Sequence, residues 1–140
     1  MELSQQGQET QNILNGFFQS VGQKDPEAVA LFFAEDVNFY IAESRYMPWT
    51  GKRSKRSEVA EALHLLFDAH EDGEDQFDID HLFIDGQEAA VFGHAGRKVK
   101  ATGKKFFAPV CQRFTIKNGL ITRFLMLEDA HAIEEAFINN

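Results

Sequence analysis

The spacing of hydrophobic and polar positions changes several times along the chain, and each change marks an element. From Glu9 the apolar residues Ile13, Leu14, Phe17, Phe18 and Val21 recur at helical spacing, which predicts an amphipathic helix stopping at Gly22. Residues 1–8 are polar and are expected to be a flexible terminus, with a single domain over 9–138. Asp25 followed by Pro26 is a helix-start signal: the carboxylate accepts free backbone N–H groups, and Pro lacks an N–H where none is needed. This second helix carries Val29, Leu31, Phe32 and Phe33, apolar on more than one side, and is expected to be well buried. After Ala34-Glu35-Asp36 the run 37–42 alternates as a strand, whereas 43–56, with Pro48, Gly51 and many charges, reads as loop. Ser57 and Glu58 open a third helix with Val59, Ala62, Leu63, Leu66 and Phe67 on its apolar face.

The rest reads as β structure. Residues 76–84 alternate, with Phe77, Ile79, His81 and Phe83 expected on one face. Three further strands follow over 89–95, 106–116 and 120–127, separated by Ala101-Thr102-Gly103-Lys104 and Lys117-Asn118-Gly119. Asn-Gly between β-branched and aromatic runs is a strong hairpin signal, because both residues tolerate positive φ. Asp129 can cap a last short helix through Ala132, Ile133, Ala136 and Phe137. Strands joined by tight turns pair antiparallel, and helices gathered ahead of them must cover one sheet face, which is an α+β arrangement. A strongly curved sheet with three helices on its concave side would enclose a cone with an apolar interior.

Composition sharpens this picture. Of 140 residues 44% are hydrophobic and 14 are Phe, enough rings to fill a core or line a cavity. A net charge of −8 disfavours nucleic acid and anionic membrane surfaces as partners. The basic runs Lys52-Arg53-Ser54-Lys55-Arg56 and 97–105 carry no nucleic-acid motif and read as solvated loops or hairpin edges. No basic segment leads into an apolar core at the N-terminus, and no apolar run approaches the ~20 residues that span a bilayer, so a cytoplasmic location is expected. The single Cys111 excludes an intramolecular disulfide.

Short motifs through most of the chain add a resemblance. Phe33-Ala34-Glu35-Asp36-Val37, Pro48-Trp49-Thr50-Gly51, Ala101-Thr102-Gly103-Lys104, the hairpin from Phe114 to Ile121 and the acidic pair Glu128-Asp129 occur in the order seen in SnoaL-like proteins. The chain resembles that family, which shares a superfamily with nuclear transport factor 2, ketosteroid isomerase and limonene-epoxide hydrolase. The resemblance implies a cone-shaped α+β fold and a homodimer through the outer sheet face. Activity does not follow from it, since one scaffold serves isomerases, cyclases, hydrolases and binding modules.

Asp129 matches the place where SnoaL-type cyclases carry an acid/base carboxylate. A carboxyl at the mouth of an apolar cone loses hydration and its pKa rises toward neutrality. The alternative is that Asp129 caps the last helix and stays ionised. Gln112 stands where many relatives carry His or Asp, and glutamine can orient a carbonyl but cannot transfer a proton. Tyr40 or His94 could donate a hydrogen bond to a ligand carbonyl, and His81 with His94 could form an inward pair on adjacent strands. Phe18, Leu63, Trp49, His81 and Gln112 are expected to line the pocket, with Trp49 as a lid. His64, Asp68 and His70 do not make up a zinc set, which takes roughly three or four ligands, and the calcium-like run from Asp68 has Ile79 where the closing Glu belongs, so no metal is expected. Two readings result: a cofactor-independent isomerase, cyclase or hydrolase acting on a small apolar carbonyl compound, or a binding module that holds such a ligand or a partner chain without chemistry.

Overall fold

A computed structural model describes residues 3–139. Helix α1 (Gln5–Gly22) is capped by Ser4, whose Oγ accepts from Gly7 N at 3.0 Å, so the helix starts four residues before Glu9 and takes in part of the segment expected to be flexible. Residues 1 and 2 of that segment lie outside the described chain. Helix α2 (Pro26–Ala30) is capped by Asp25, whose Oδ1 accepts from Ala28 N at 3.2 Å. It is shorter than its apolar residues suggest: Leu31 is 65% exposed, and strand β1 (Phe33–Ile41) begins where helix was expected.

Strand β2 (Gly51–Lys55) lies inside the stretch read as loop. Its charged sequence hides it, but a short Lys- and Arg-rich strand is what a protected sheet edge requires. Helix α3 (Arg56–Asp68) follows directly, its start held by Glu58 Oε1, which accepts from Ser54 N and Lys55 N. Strands β3 (Gln76–Asp85), β4 (Glu88–Lys98), β5 (Lys105–Lys117) and β6 (Leu120–Glu128) form the meander, and α4 (Ala130–Glu135) closes the chain. The β5–β6 turn uses Asn118 and Gly119 at φ 54° and 77°, the left-handed region that Asn-Gly predicts.

The six strands form one curved open sheet in the order β2-β1-β6-β5-β4-β3, and α+β is the fold class. Every pair is antiparallel except β1–β6, whose partners are too far apart in sequence to be tied by a hairpin. Side chains on alternate positions of each strand face the helices. On that concave side Phe17 of α1 packs edge-on against Phe33 and Phe114, and Phe114 meets Phe124 across the β5–β6 ladder at 5.2 Å.

One irregularity changes which residues share a face. Between Ile79 and His81 the β3–β4 register slips, so Asp80 is an extra residue, a β-bulge. Phe77 and Ile79 pair with Ala95 and Gly93 on the concave side, whereas His81 pairs with Phe92 and Phe83 with Ala90 on the outer side. The single face expected for Phe77, Ile79, His81 and Phe83 is therefore split, and Leu82 and Ile84 pack toward the core in place of the latter two.

Candidate functional site

Between the concave sheet face and helices α1 and α3 lies a cavity of about 380 Å³. Its walls are mostly rings and aliphatic chains: Phe17, Phe18 and Val21 from α1, Leu63, Leu66 and Phe67 from α3, Phe39 and Ile41 from β1, Phe124 and Met126 from β6. Five polar side chains interrupt this lining: Glu128, Arg97, Gln112, Asp75 and Gln76. The other depressions are more open and lie outside the cone, among them a trough between α4 and the start of β5.

Strand alternation explains why these groups face inward. Phe124, Met126 and Glu128 fall on one parity of β6, opposite Phe114, Gln112 and Val110 of β5. Arg97 shares the concave parity of β4 with Ala95. Burial pushes the Glu128 carboxyl up from its ordinary pKa, with the positive charge of Arg97 pulling it back in part. No cation lies within 4.0 Å of Glu128 among the described residues. The same burial draws the Arg97 guanidinium down, opposed by Asp75 and then Glu128; arginine starts so high that it stays charged. Arg97 Nε stands 3.7 Å from Asp75 Oδ2, and Lys24 Nζ approaches that oxygen at 3.8 Å from the end of α1. Gln112 donates from Nε2 to Met126 Sδ at 3.3 Å, which leaves its buried Oε1 without a protein partner.

The residues singled out from sequence divide between cavity and exterior. Phe18, Leu63 and Gln112 line the cavity. Asp129 does not: it is exposed, its Oδ1 accepts from Ala132 N at 3.2 Å, and it is the N-cap of α4. Tyr40 faces outward beside Leu125, close to Arg113 and Arg123. His94 also faces outward, stacked on Phe107 at 5.1 Å with Nδ1 3.2 Å from Asp80 Oδ2. His81 stacks on Phe83 on that outer side, because the bulge at Asp80 turned both residues away from the helices. Trp49 is no lid. It is 3% exposed and packs against His70 and Phe137 in the core, in a loop tied by Thr50 Oγ1, which donates to Met47 O at 2.6 Å.

Sequence reasoning missed Glu128, Arg97 and Asp75 as site residues. Arg97 falls in a basic run that reads as solvated. Glu128 was passed over for its neighbour, although counting in twos from Phe124 through Met126 identifies it. Among the described residues no cluster of His, Cys, Asp and Glu could hold a metal ion.

A curved sheet with helices packed around an apolar hollow is the NTF2-like kind of α+β cone. The chain belongs to the SnoaL-like domain family, whose profile matches residues 14–124. An NTF2-like protein from Burkholderia thailandensis superposes with a TM-score of 0.78 at 20% identity, covering 94% of this chain and 98% of that one. An NTF2-like protein of unknown function from Burkholderia pseudomallei gives 0.83 at 14% identity, covering 94% and 98%. TerC, co-crystallised with polyporic acid, gives 0.79 at 16% identity, covering 92% and 98%. At these identities the likeness is one of fold. No curated protein sequence matches the chain. No helix among the described residues is long and apolar enough to cross a membrane.

Proposed function

We propose that the cone binds a small molecule with an apolar body and a carbonyl-type group, and that Glu128 exchanges a proton with that ligand. The observation that carries this reading is the Glu128 carboxyl facing an apolar cavity, its pKa raised by burial. A carboxyl tuned upward is a stronger base once ionised, and it can give the same proton back. In the catalytic form of the reading, ionised Glu128 takes the proton from the carbon next to the carbonyl. The C–H electron pair becomes the C=C bond of an enolate, the oxygen takes up the negative charge beside Arg97, and the proton returns from Glu128 at a carbon of the same system. No cofactor enters that sequence. Gln112 Oε1 is free to accept from a ligand hydroxyl and so to fix its orientation.

The test uses 2-tetralone, an apolar ketone with an acidic CH₂. In D₂O the protein should speed deuterium incorporation next to the carbonyl, and Glu128→Gln should remove that acceleration. Bound 2-tetralone with no accelerated exchange would leave the non-catalytic binding module, the reading that Gln112 favours, because an amide stands where a proton-transferring side chain is expected.

We further infer a homodimer through the outer sheet face. Phe83, Phe92, Phe107 and Leu127 are all exposed on that side, and apolar surface on this scale is ordinarily covered. Light scattering of wild type and of Phe92→Glu tests this: a dimer that the substitution converts to monomer supports the inference, and a monomeric wild type ends it.

A further inference from the structure

We propose that the ligand presents an anionic oxygen group, a carboxylate or an enolate, to Arg97, and that Glu128 shares a proton with that group. This rests on the pocket reading above and names the chemistry of the ligand's polar end.

The first observation is a guanidinium in the cavity wall whose only ionic partner among the described residues is a distant one. The Arg97 side chain is 17% exposed, yet among the described residues its guanidinium makes no hydrogen bond. Its one ionic neighbour, Asp75, lies on the Nε side at 3.7 Å, too far for a hydrogen bond, and Lys24 competes for the same oxygen. The donors on the far side of the guanidinium from Asp75 meet no acceptor among those residues, and the fork they form matches the two oxygens of a carboxylate. A neutral ketone offers one acceptor atom and no charge, and so leaves most of the fork idle.

The second observation is the arrangement around Glu128. The polar groups sharing the cavity with it are Arg97 from β4, Gln112 from β5, Gln76 from β3 and Asp75 just ahead of β3, with Lys24 of the α1–α2 turn behind Asp75; the α1 and α3 walls contribute only apolar side chains. An ionised Glu128 would join Asp75 in repelling an anionic ligand. In its protonated form the carboxyl is a donor, and its O–H completes the shell that Arg97 begins. One proton then lies between two carboxyl oxygens, a pairing that a low-dielectric site favours over two adjacent negative charges. Binding of the anion should therefore raise the proton affinity of Glu128 further, and affinity should fall as pH rises and Glu128 ionises.

Two probes of matched shape decide the matter by calorimetry: 2-naphthoate, ionised between about pH 5 and pH 8, and the neutral ketone 2-acetylnaphthalene. The expected result is naphthoate binding at least about tenfold tighter at the acid end, with the advantage shrinking toward the alkaline end. Arg97→Gln should erase the preference while ketone binding persists, and Glu128→Gln should keep the preference and flatten its pH dependence. Should Arg97→Gln not fold, Arg97→Lys takes its place; it keeps the charge and removes the fork, so the preference must still fall. Naphthoate binding no tighter than the ketone, or a preference indifferent to Arg97, overturns this inference and leaves the pocket reading intact. A pH dependence that survives Glu128→Gln removes the shared proton. If neither probe binds, both readings are lost.

Discussion

Glu128 and Asp129 are adjacent in sequence and face opposite worlds. Glu128, the last residue of β6, pairs with Val110 on the concave side and looks into the cavity, while Asp129 turns outward and caps α4 through Ala132 N. The two carboxyls therefore stand in different surroundings. Asp129→Ala should lower stability by about 1 kcal/mol, the ordinary cost of a lost N-cap, and Asp129→Asn should be nearly neutral. Neither should change affinity for 2-naphthoate, whereas Glu128→Gln should alter its pH profile. Urea denaturation with calorimetry on the same three variants separates the roles.

His70 makes acid stability the next expectation. It is 1% exposed, its Nδ1 is 2.8 Å from Leu66 O, and its Nε2 has no partner among rings of Trp49, Phe106 and Phe137. Burial, opposed by the Leu66 carbonyl, lowers its pKa from 6.5 to about 4. The folded state thus refuses a proton that the unfolded chain accepts. The stability this group confers is complete above 6.5 and is lost as pH falls from there through about 4. A shift of that size corresponds to something on the order of 3 kcal/mol. His70→Gln should flatten the acid limb of the stability curve; an unchanged limb in that variant would show that other groups produce it.

Gly93 carries a steric prediction. A Cβ at this position would come within 2.0 Å of Asp78 O, the carbonyl of the neighbouring strand just before the bulge. Backbone, not a movable side chain, stands in the way. Gly93→Ala should therefore cost more than about 2 kcal/mol and disturb the pairing that turns His81 outward. The chemical shifts of His81 and His94 in the variant, with its melting temperature, report both effects.

How much of this was legible in the sequence depended on the range of the interaction involved. The meander, the Asn118-Gly119 turn and the Asp25-Pro26 start were readable because each is set by a few neighbouring residues. Strand β2 was not, since its residues carry the charges of a loop and only pairing with β1 makes them a strand. The outward placing of His81 depends on one extra residue, Asp80, whose effect on parity exists only relative to β4. Arg97 shows the same limit: its composition suggests solvent, and its position beside Ala95 on an inward parity puts it in the cavity. Apolar lining such as Phe18 and Leu63 follows from periodicity, whereas the polar groups at the site break that pattern and so escape it.

Glu128 gives the last expectation, and its sign is opposite to that of His70. Its folded pKa lies above the unfolded value because burial disfavours the carboxylate, with Arg97 compensating only in part. The folded state therefore binds a proton more readily than the unfolded chain. The corresponding stability is fully present below the unfolded carboxylate pKa and is lost as pH rises through the raised folded one. Between those two points wild type should lose stability relative to Glu128→Gln, which carries no titrating proton there and keeps nearly the same shape. Beyond the folded pKa the variant should remain the more stable by a constant margin. Arg97→Gln should widen the gap, because removing the nearby positive charge raises the Glu128 pKa further. Denaturant midpoints across the pH range for the three proteins test the relation; parallel curves for wild type and Glu128→Gln would mean that the cavity hydrates this carboxyl as well as water does, and its proposed part in proton exchange would fall with that result.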